Sequence, residues 1–272
     1  MSNAESLRVG VVIVGSLLWD TSKKRETWRA RLRVSEKDLV RVPIRYGRLS
    51  TTGTRENKYT MTFSHACHDV AGTGTAWVVP LRQEVVTPPQ LHDEADALAV
   101  AEGLFDEKDI TSGRPAEMLK WKGFGAVGLW VRESYKPTRG LAEFTENWPG
   151  FFRKRLPKDN GALKGYPATE PLPLTAEGRI NLRWPVRVES TRPLEFDLLL
   201  ATPNTPSLGP DEDYATPDEI AKSYIRSGDP GYFIDNLVTG IHTAEDAEIW
   251  KQMQAKSDVV FRLREAEHRV PR

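Results

Sequence analysis

The sequence predicts an α+β fold, and three observations carry that reading. Apolar runs of strand length recur at 9–14, 39–50, 59–63, 75–81, 124–131 and 194–201. Between them lie stretches of helical spacing, the clearest being Leu91, Ala95, Leu98 and Ala101, which share one face of a helix. Helix boundaries are also marked by capping residues, with Gly103 after one helix and Thr216-Pro217-Asp218-Glu219 before another.

The first run, VGVVIV, is apolar at nearly every position, as a strand covered on both faces must be, and it ends in Gly15-Ser16. Residues 22–32 are charged and helix-compatible. Residues 39–50 alternate like a strand, with Pro43 predicting an edge or a bulge. TTGTRENK is a turn, 59–63 a strand, and Gly72-Thr73-Gly74 leads into the apolar strand TAWVVPL. Pro88-Pro89 precede a helix that ends at Glu102, because Gly103 stands where a C-cap glycine belongs. A further strand spans 124–131. From 132 to 193 the chain turns rich in Pro, Gly and charge. It reads as an irregular surface insertion held by Trp148, Phe151, Phe152, Tyr166 and Trp184, with a hairpin or edge strand near 179–188. LEFDLLLA restores regular order, and three prolines make TPNTPSLGP a loop. Thr216 as N-cap, Pro217 at the first helical position and Glu219 in a capping box then open a helix that stops near Gly228. Two further helices follow, from about 232 and 244. There is no internal repeat, so the expectation is one domain over 1–272, carrying the 132–193 insertion.

Composition narrows the function classes. Lys+Arg and Asp+Glu are both 38, so the formal net charge is zero. Nucleic acid and anionic membrane surfaces call for a concentrated positive excess and are therefore not expected as partners. One cysteine, Cys67, excludes an intramolecular disulfide and fits a reducing compartment. No apolar run approaches the ~20 residues that span a bilayer. Met1-Ser2-Asn3-Ala4 has neither the basic nor the apolar stretch of a secretory leader. A cytoplasmic, soluble protein is expected.

The stretch with most chemical content is the strand end 14–17. Gly15 allows close approach of a ligand because no Cβ intervenes. The backbone N–H groups of a tight turn form a cradle for a carboxylate or a developing oxyanion. The simpler reading, a turn leaving the first core strand, stays open on these residues alone. His65, Cys67, His68 and Asp69 crowd ligand-capable side chains, but their spacing matches no structural zinc pattern, and polar loop residues are the expectation. A Cys-His nucleophilic pair is disfavoured, since adjacent residues on a strand face opposite ways. Gly72-Thr73-Gly74-Thr75 precedes a strand rather than a helix, which argues against dinucleotide binding. Among Arg45, Arg48 and Arg55, one could grip a substrate carboxylate, or all could keep a strand edge soluble.

Taken together, IVGSLLWD, Arg45-Tyr46-Gly47-Arg48-Leu49-Ser50, GTAWVVP and the helix ending AVAEG resemble the γ-glutamylcyclotransferases. The stretches LLLATPNTPSLGP and TPDEIAKSYIRSGDPGYFIDNL resemble the ChaC-like branch in particular. The resemblance covers 9–131 and 194–243. It implies a mixed β-barrel-like sheet with flanking helices. It implies cyclisation of a γ-glutamyl peptide or amine, glutathione being one candidate, to 5-oxoproline with release of the attached amine. It assigns Glu102 as the general acid/base, with Glu94 on the same helix as competitor, and gives Val14, Gly15, Ser16, Leu17 and Arg48 as substrate-binding. The substrate's own amine is the nucleophile, so neither metal nor cofactor is expected. Two positions depart from the family's pattern: Val14 and Leu208 stand where a Tyr is usual, with Tyr214 a possible stand-in for the second. A non-catalytic small-molecule binding or regulatory module on the same fold is the alternative.

Overall fold

The computed structural model describes residues 7–51, 56–67, 72–105, 108, 112, 118–132, 139–158, 164–189 and 194–255. The strands are β1 (Val9–Ile13), β2 (Asp38–Val42), β3 (Ile44–Leu49), β4 (Tyr59–Phe63), β5 (Gly74–Pro80), β6 (Gly128–Val131), β7 (Val186–Arg187) and β8 (Leu198–Ala201). The helices among the described residues are α1 (Lys23–Arg29), α2 (Pro88–Glu102), α3 (Arg139–Arg155), α4 (Pro217–Ser227), α5 (Gly231–Val238) and α6 (Asp246–Gln254).

Six strands form one sheet in the order β6-β8-β1-β5-β2-β7, while β3 and β4 pair as a separate hairpin. β1 runs parallel to β8 and antiparallel to β5, with Gly10 opposite Leu199 and Pro80. All five β1 residues are buried, as the unbroken apolar run requires. The fold is thus mixed α+β, with a sheet curled into a half-barrel and helices around it. Chain reach forces the curl. Ile180 and Gly178 bond to Leu129 beyond the β6 edge, whereas Val186 already pairs with Arg41 of β2 at the other edge. The chain from 180 to 186 reaches at most ~21 Å, while a flat sheet would set those positions ~29 Å apart.

The expected 39–50 strand divides at Pro43. β2 stays with the main sheet, and β3 leaves it to pair with β4. Pro43 cannot donate to a ladder, but its carbonyl accepts from the Ser64 N–H at 3.1 Å. The β3–β4 register slips between Tyr46 and Arg48, a bulge at Gly47. Such a bulge re-aims the following side chain, here Arg48.

The insertion requires a correction. Among the described residues of 132–193 the stretch is not irregular throughout, because α3 spans 17 of them and packs on α2. Leu141, Phe144, Trp148, Phe151, Phe152 and Arg155 fall at helical spacing and are all buried, Trp148 and Phe152 completely. Pro149 lies inside this helix. It deprives the Thr145 carbonyl of its helical partner, and the Arg179 guanidinium donates to that carbonyl at 3.2 Å instead. The Trp148 indole donates to the Gly178 carbonyl at 2.9 Å, tying the helix to the strip beside β6. Of the hairpin or edge strand expected near 179–188, the edge strand is present: β7 pairs with β2 at one edge of the sheet, while Ile180 bonds to Leu129 beyond the other.

Other boundaries follow the capping residues. α2 begins at Pro88 itself, with the Gln90 side chain accepting from the Thr87 N–H at 3.0 Å. At its end Gly103 is left-handed, with φ 77°. The Gly103 N–H bonds Val100 and the Leu104 N–H bonds Ala99, the paired closure of a Schellman motif. Thr216 and Glu219 make the expected capping box on α4, and Gly228 closes it with φ 64°. No helix among the described residues is long and apolar enough to cross a membrane.

Candidate functional site

Where β1 ends, the chain makes a tight turn. The Leu18 N–H bonds the Gly15 carbonyl at 3.2 Å and the Asp20 N–H bonds the Ser16 carbonyl at 2.9 Å. Arg29 of α1 donates to the Leu17 carbonyl at 2.8 Å, holding the turn from outside. Space at Gly15 is set by Tyr232 of α5: a Cβ there would lie 2.6 Å from the phenol oxygen. That oxygen also accepts from the Met61 N–H of β4 at 3.3 Å. Glycine is required on two counts: the phenol occupies the place of a side chain, and the backbone φ of 156° is one that residues with a Cβ rarely adopt.

The turn opens on a cavity of about 520 Å³. Its walls include Val14, Gly15, Ser16 and Leu17 from the turn, Arg48 from β3, and Glu102 and Gly103 from the end of α2. Tyr232 and Asn204 complete the side toward α5 and the 202–210 loop. The six residues that the resemblance gives as general acid/base and substrate-binding therefore share one cavity, although they come from three separate segments. Glu102 is half-buried in this wall.

One side chain joins the two halves of the site. Arg25 of α1, only 2% exposed, forms an ion pair with Asp20 at the end of the turn. The same guanidinium donates through Nε to the Ala101 carbonyl in the last turn of α2 at 3.3 Å. It thus links the glycine turn to the residue preceding Glu102 and supplies positive charge at a helix C-terminus. Lys24 sits beside it, its Nζ 3.2 Å from where a Gly103 Cβ would be. Opposite, the Arg48 guanidinium lies over the Phe124 ring, 4.2 Å from its centre.

Asn204 is anchored through its backbone. Its carbonyl accepts from the Tyr166 hydroxyl at 3.0 Å and from Thr62. Burial raises the Tyr166 phenol well above the usual tyrosine range, so it stays protonated and able to donate. The insertion therefore supports a wall of the cavity rather than merely covering it.

Other candidates lie elsewhere. Glu94 does not line the cavity; it is buried, and both its oxygens are held by Arg31 at 2.8 and 2.9 Å. Arg45 pairs with Glu245 at 2.6 Å and lies over the Tyr214 ring. Tyr214 is no stand-in at this site: its hydroxyl donates to Glu170 at 3.2 Å, outside the cavity wall. Tyr232 is the phenol that reaches the turn. His65 and Cys67 lie on a short 3₁₀ turn away from the cavity, while Arg55, His68 and Asp69 lie outside the described residues. Among the described residues no group of three or more His, Cys, Asp and Glu side chains converges as a metal site would require.

Arg25, Tyr232, Asn204, Lys24 and Lys122 were not selected from the sequence. All but Lys122 lie on segments the sequence does mark, but only the fold brings them to the cavity. No protein-family model matches this chain, and neither a curated protein nor a solved structure matches it by comparison.

Proposed function

We propose that this protein is a γ-glutamyl cyclotransferase on a γ-glutamylcyclotransferase-like half-barrel, acting on a γ-glutamyl peptide or amine without a cofactor. The observation that carries this reading is the sharing of one cavity by a glycine turn and a helix-terminal carboxylate, Glu102. The reaction asks for little more. The substrate's α-amino nitrogen attacks its own γ-carbonyl carbon, forming the ring C–N bond, and the bond to the leaving nitrogen breaks. Glu102 accepts the proton released by the attacking amine and returns it to the departing one, so atoms and charge balance without water. Amide donors of the turn 15–17 face the carbonyl oxygen as negative charge builds on it. Holding the substrate bent supplies much of the remaining rate, up to ~7–11 kcal/mol in the best intramolecular cases. Arg48 is suited to the α-carboxylate, which it would meet with a charge-assisted hydrogen bond.

The test is direct. The purified protein is incubated with glutathione and a panel of γ-glutamyl amines, and 5-oxoproline is measured against time. Stoichiometric release of 5-oxoproline and amine from at least one compound is the expected result. If no member of the panel yields 5-oxoproline, the enzymatic reading is wrong; binding of panel members without turnover would then favour the non-catalytic module.

A further inference from the structure

We propose that Arg25 is a positioning residue of this site, fixing the glycine turn and Glu102 relative to each other. For its effect on rate the inference rests on the reading above. The turn and the carboxylate belong to separate segments, so their separation depends on contacts across the fold. One path between them can be followed bond by bond. The Asp20 N–H closes the turn on the Ser16 carbonyl at 2.9 Å. The Asp20 carboxylate accepts from the Ser22 N–H through Oδ1 at 2.8 Å and from Arg25 through Oδ2. Arg25 Nε then donates to the carbonyl of Ala101, the residue before Glu102. A helix leaves its last four carbonyls without partners of its own. The closing motif takes those of Ala99 and Val100, and Arg25 takes the next.

A buried guanidinium is a poor choice for stability alone. Desolvation offsets much of the attraction in a buried ion pair, and replacing both partners by apolar groups is often neutral or stabilising. What arginine offers here is geometry, because a planar fork with fixed donor directions serves two acceptors at a set angle. Its side chain is 2% exposed and also borders the cavity. Other bonds brace the turn itself: Arg29 donates to the Leu17 carbonyl, and Asn236 of α5 accepts from the Trp19 indole at 2.9 Å. Those bonds hold the turn, whereas Arg25 ties it to the end of α2. Such a tie matters to rate, since a misplacement of ~1 Å can cost about 10²-fold.

The experiment uses the full chain and two substitutions. Arg25→Lys keeps the charge but not the fork. Arg25→Met/Asp20→Asn removes both charges together, so that neither is left buried and unmatched, and the amide oxygen can still accept from Ser22. Amide hydrogen exchange is read first, because it needs no substrate. Both variants should exchange at least about tenfold faster at Leu18 and Asp20 of the turn and at Gly103 and Leu104 past α2. Arg29→Gln, which loosens the turn alone, should speed the first pair and leave the second within about twofold. kcat and KM are then read from 5-oxoproline release. Arg25→Lys should lower kcat by roughly 10- to 100-fold with KM within about threefold, as expected for a group acting on transition-state geometry. In a Glu102→Gln background the same change should cost less than about threefold, since the carboxylate it positions is gone. Faster exchange at one end only or at neither, an unchanged kcat, or a full loss that persists without Glu102 would overturn the inference. If the parent releases no 5-oxoproline from any γ-glutamyl compound, the cyclotransferase reading fails, and exchange at the two ends alone decides whether Arg25 couples them.

Discussion

Helix α2 presents carboxylates to two different surroundings. In its packed half, Glu94 is held at both oxygens by Arg31, and Asp96 is matched by Arg155, whose side chain is 6% exposed. Close by, His92 stacks flat on Phe151, ring centres 4.3 Å apart. In its last turn, Glu102 borders an open cavity facing a glycine turn. Residue type does not separate Glu94 from Glu102. Glu94 holds the Arg31 guanidinium, two residues past the end of α1, through both its oxygens. Glu102 lies where the helix stops, beside Gly103, at a space large enough for a small molecule. In this helix the carboxylates of the packed half are held by arginines, while the last one borders a cavity.

The contrast can be broken at several points. The largest effect is expected from Trp148→Ala, at the contact between α3 and the packed half of α2. Its complete burial predicts a loss of about 3–5 kcal/mol in urea unfolding. A loss below ~1 kcal/mol would mean that the insertion is not part of the core. Arg155→Leu should cost about 2–4 kcal/mol at neutral pH, because it leaves Asp96 without its cation. Burial already raises the Asp96 carboxyl above its ordinary value, with Arg155 opposing the shift. A raised carboxyl favours folding when protonated and loses that contribution as pH rises. The Arg155→Leu penalty should therefore shrink as pH falls toward 4, and unfolding curves from pH 7 to 4 would show it.

At the open end, Gly15→Ala should destabilise by roughly 1–3 kcal/mol, through overlap of the new Cβ with the Tyr232 phenol oxygen. Tyr232→Phe removes that oxygen and leaves the next ring carbon 3.6 Å from the Cβ position. The double variant should recover the part of the loss that comes from this overlap, while the strain of Ala at φ 156° remains, so the cycle reads a favourable coupling. Strict additivity would show that the phenol does not set the space at Gly15.

The smallest effect concerns His92. Burial lowers its pKa below 6.5, and its Nε2 atom has no hydrogen-bond partner among the described residues. A histidine held neutral in the fold stabilises it above the ordinary value of 6.5 and loses that contribution as pH falls through the lowered one. His92→Phe keeps the stack on Phe151 and should change stability by less than ~1 kcal/mol at pH 7. Between pH 6.5 and 5 it should flatten the acid decline of the unfolding midpoint; an unchanged decline would assign that slope to other groups.

Local chemistry made much of this fold legible. Gly103, Thr216, Glu219 and Gly228 act within one helical turn, and their roles can be read from neighbours a few residues away. The β1 run and its glycine end are equally local. Helix α3 was not read, although Leu141, Phe144, Trp148 and Phe152 have helical spacing, because Pro149-Gly150 is a strong local breaker. The compensation comes from Arg179, 34 positions away from Thr145, where no local pattern reaches. The same distinction holds at the cavity. The turn and the end of α2 each carry a glycine signature, but Glu102 is singled out by the resemblance to the γ-glutamylcyclotransferases and not by local pattern. Arg25 and Tyr232 carry none: their roles depend on meeting Ala101 and Gly15 across the fold.

The central claim separates two glutamates on one helix, and a paired measurement tests it. Glu102→Gln and Glu94→Gln are assayed side by side for 5-oxoproline release from the best γ-glutamyl substrate and for thermal unfolding. Glu102→Gln should lower kcat by roughly 10²- to 10⁴-fold, the usual contribution of a general acid/base, with an unfolding midpoint unchanged. Glu94→Gln should lower the midpoint by several degrees, through loss of the bidentate Arg31 pair, and keep turnover within about threefold of the parent. Full activity in Glu102→Gln, or loss of turnover in a stably folded Glu94→Gln, would contradict the account.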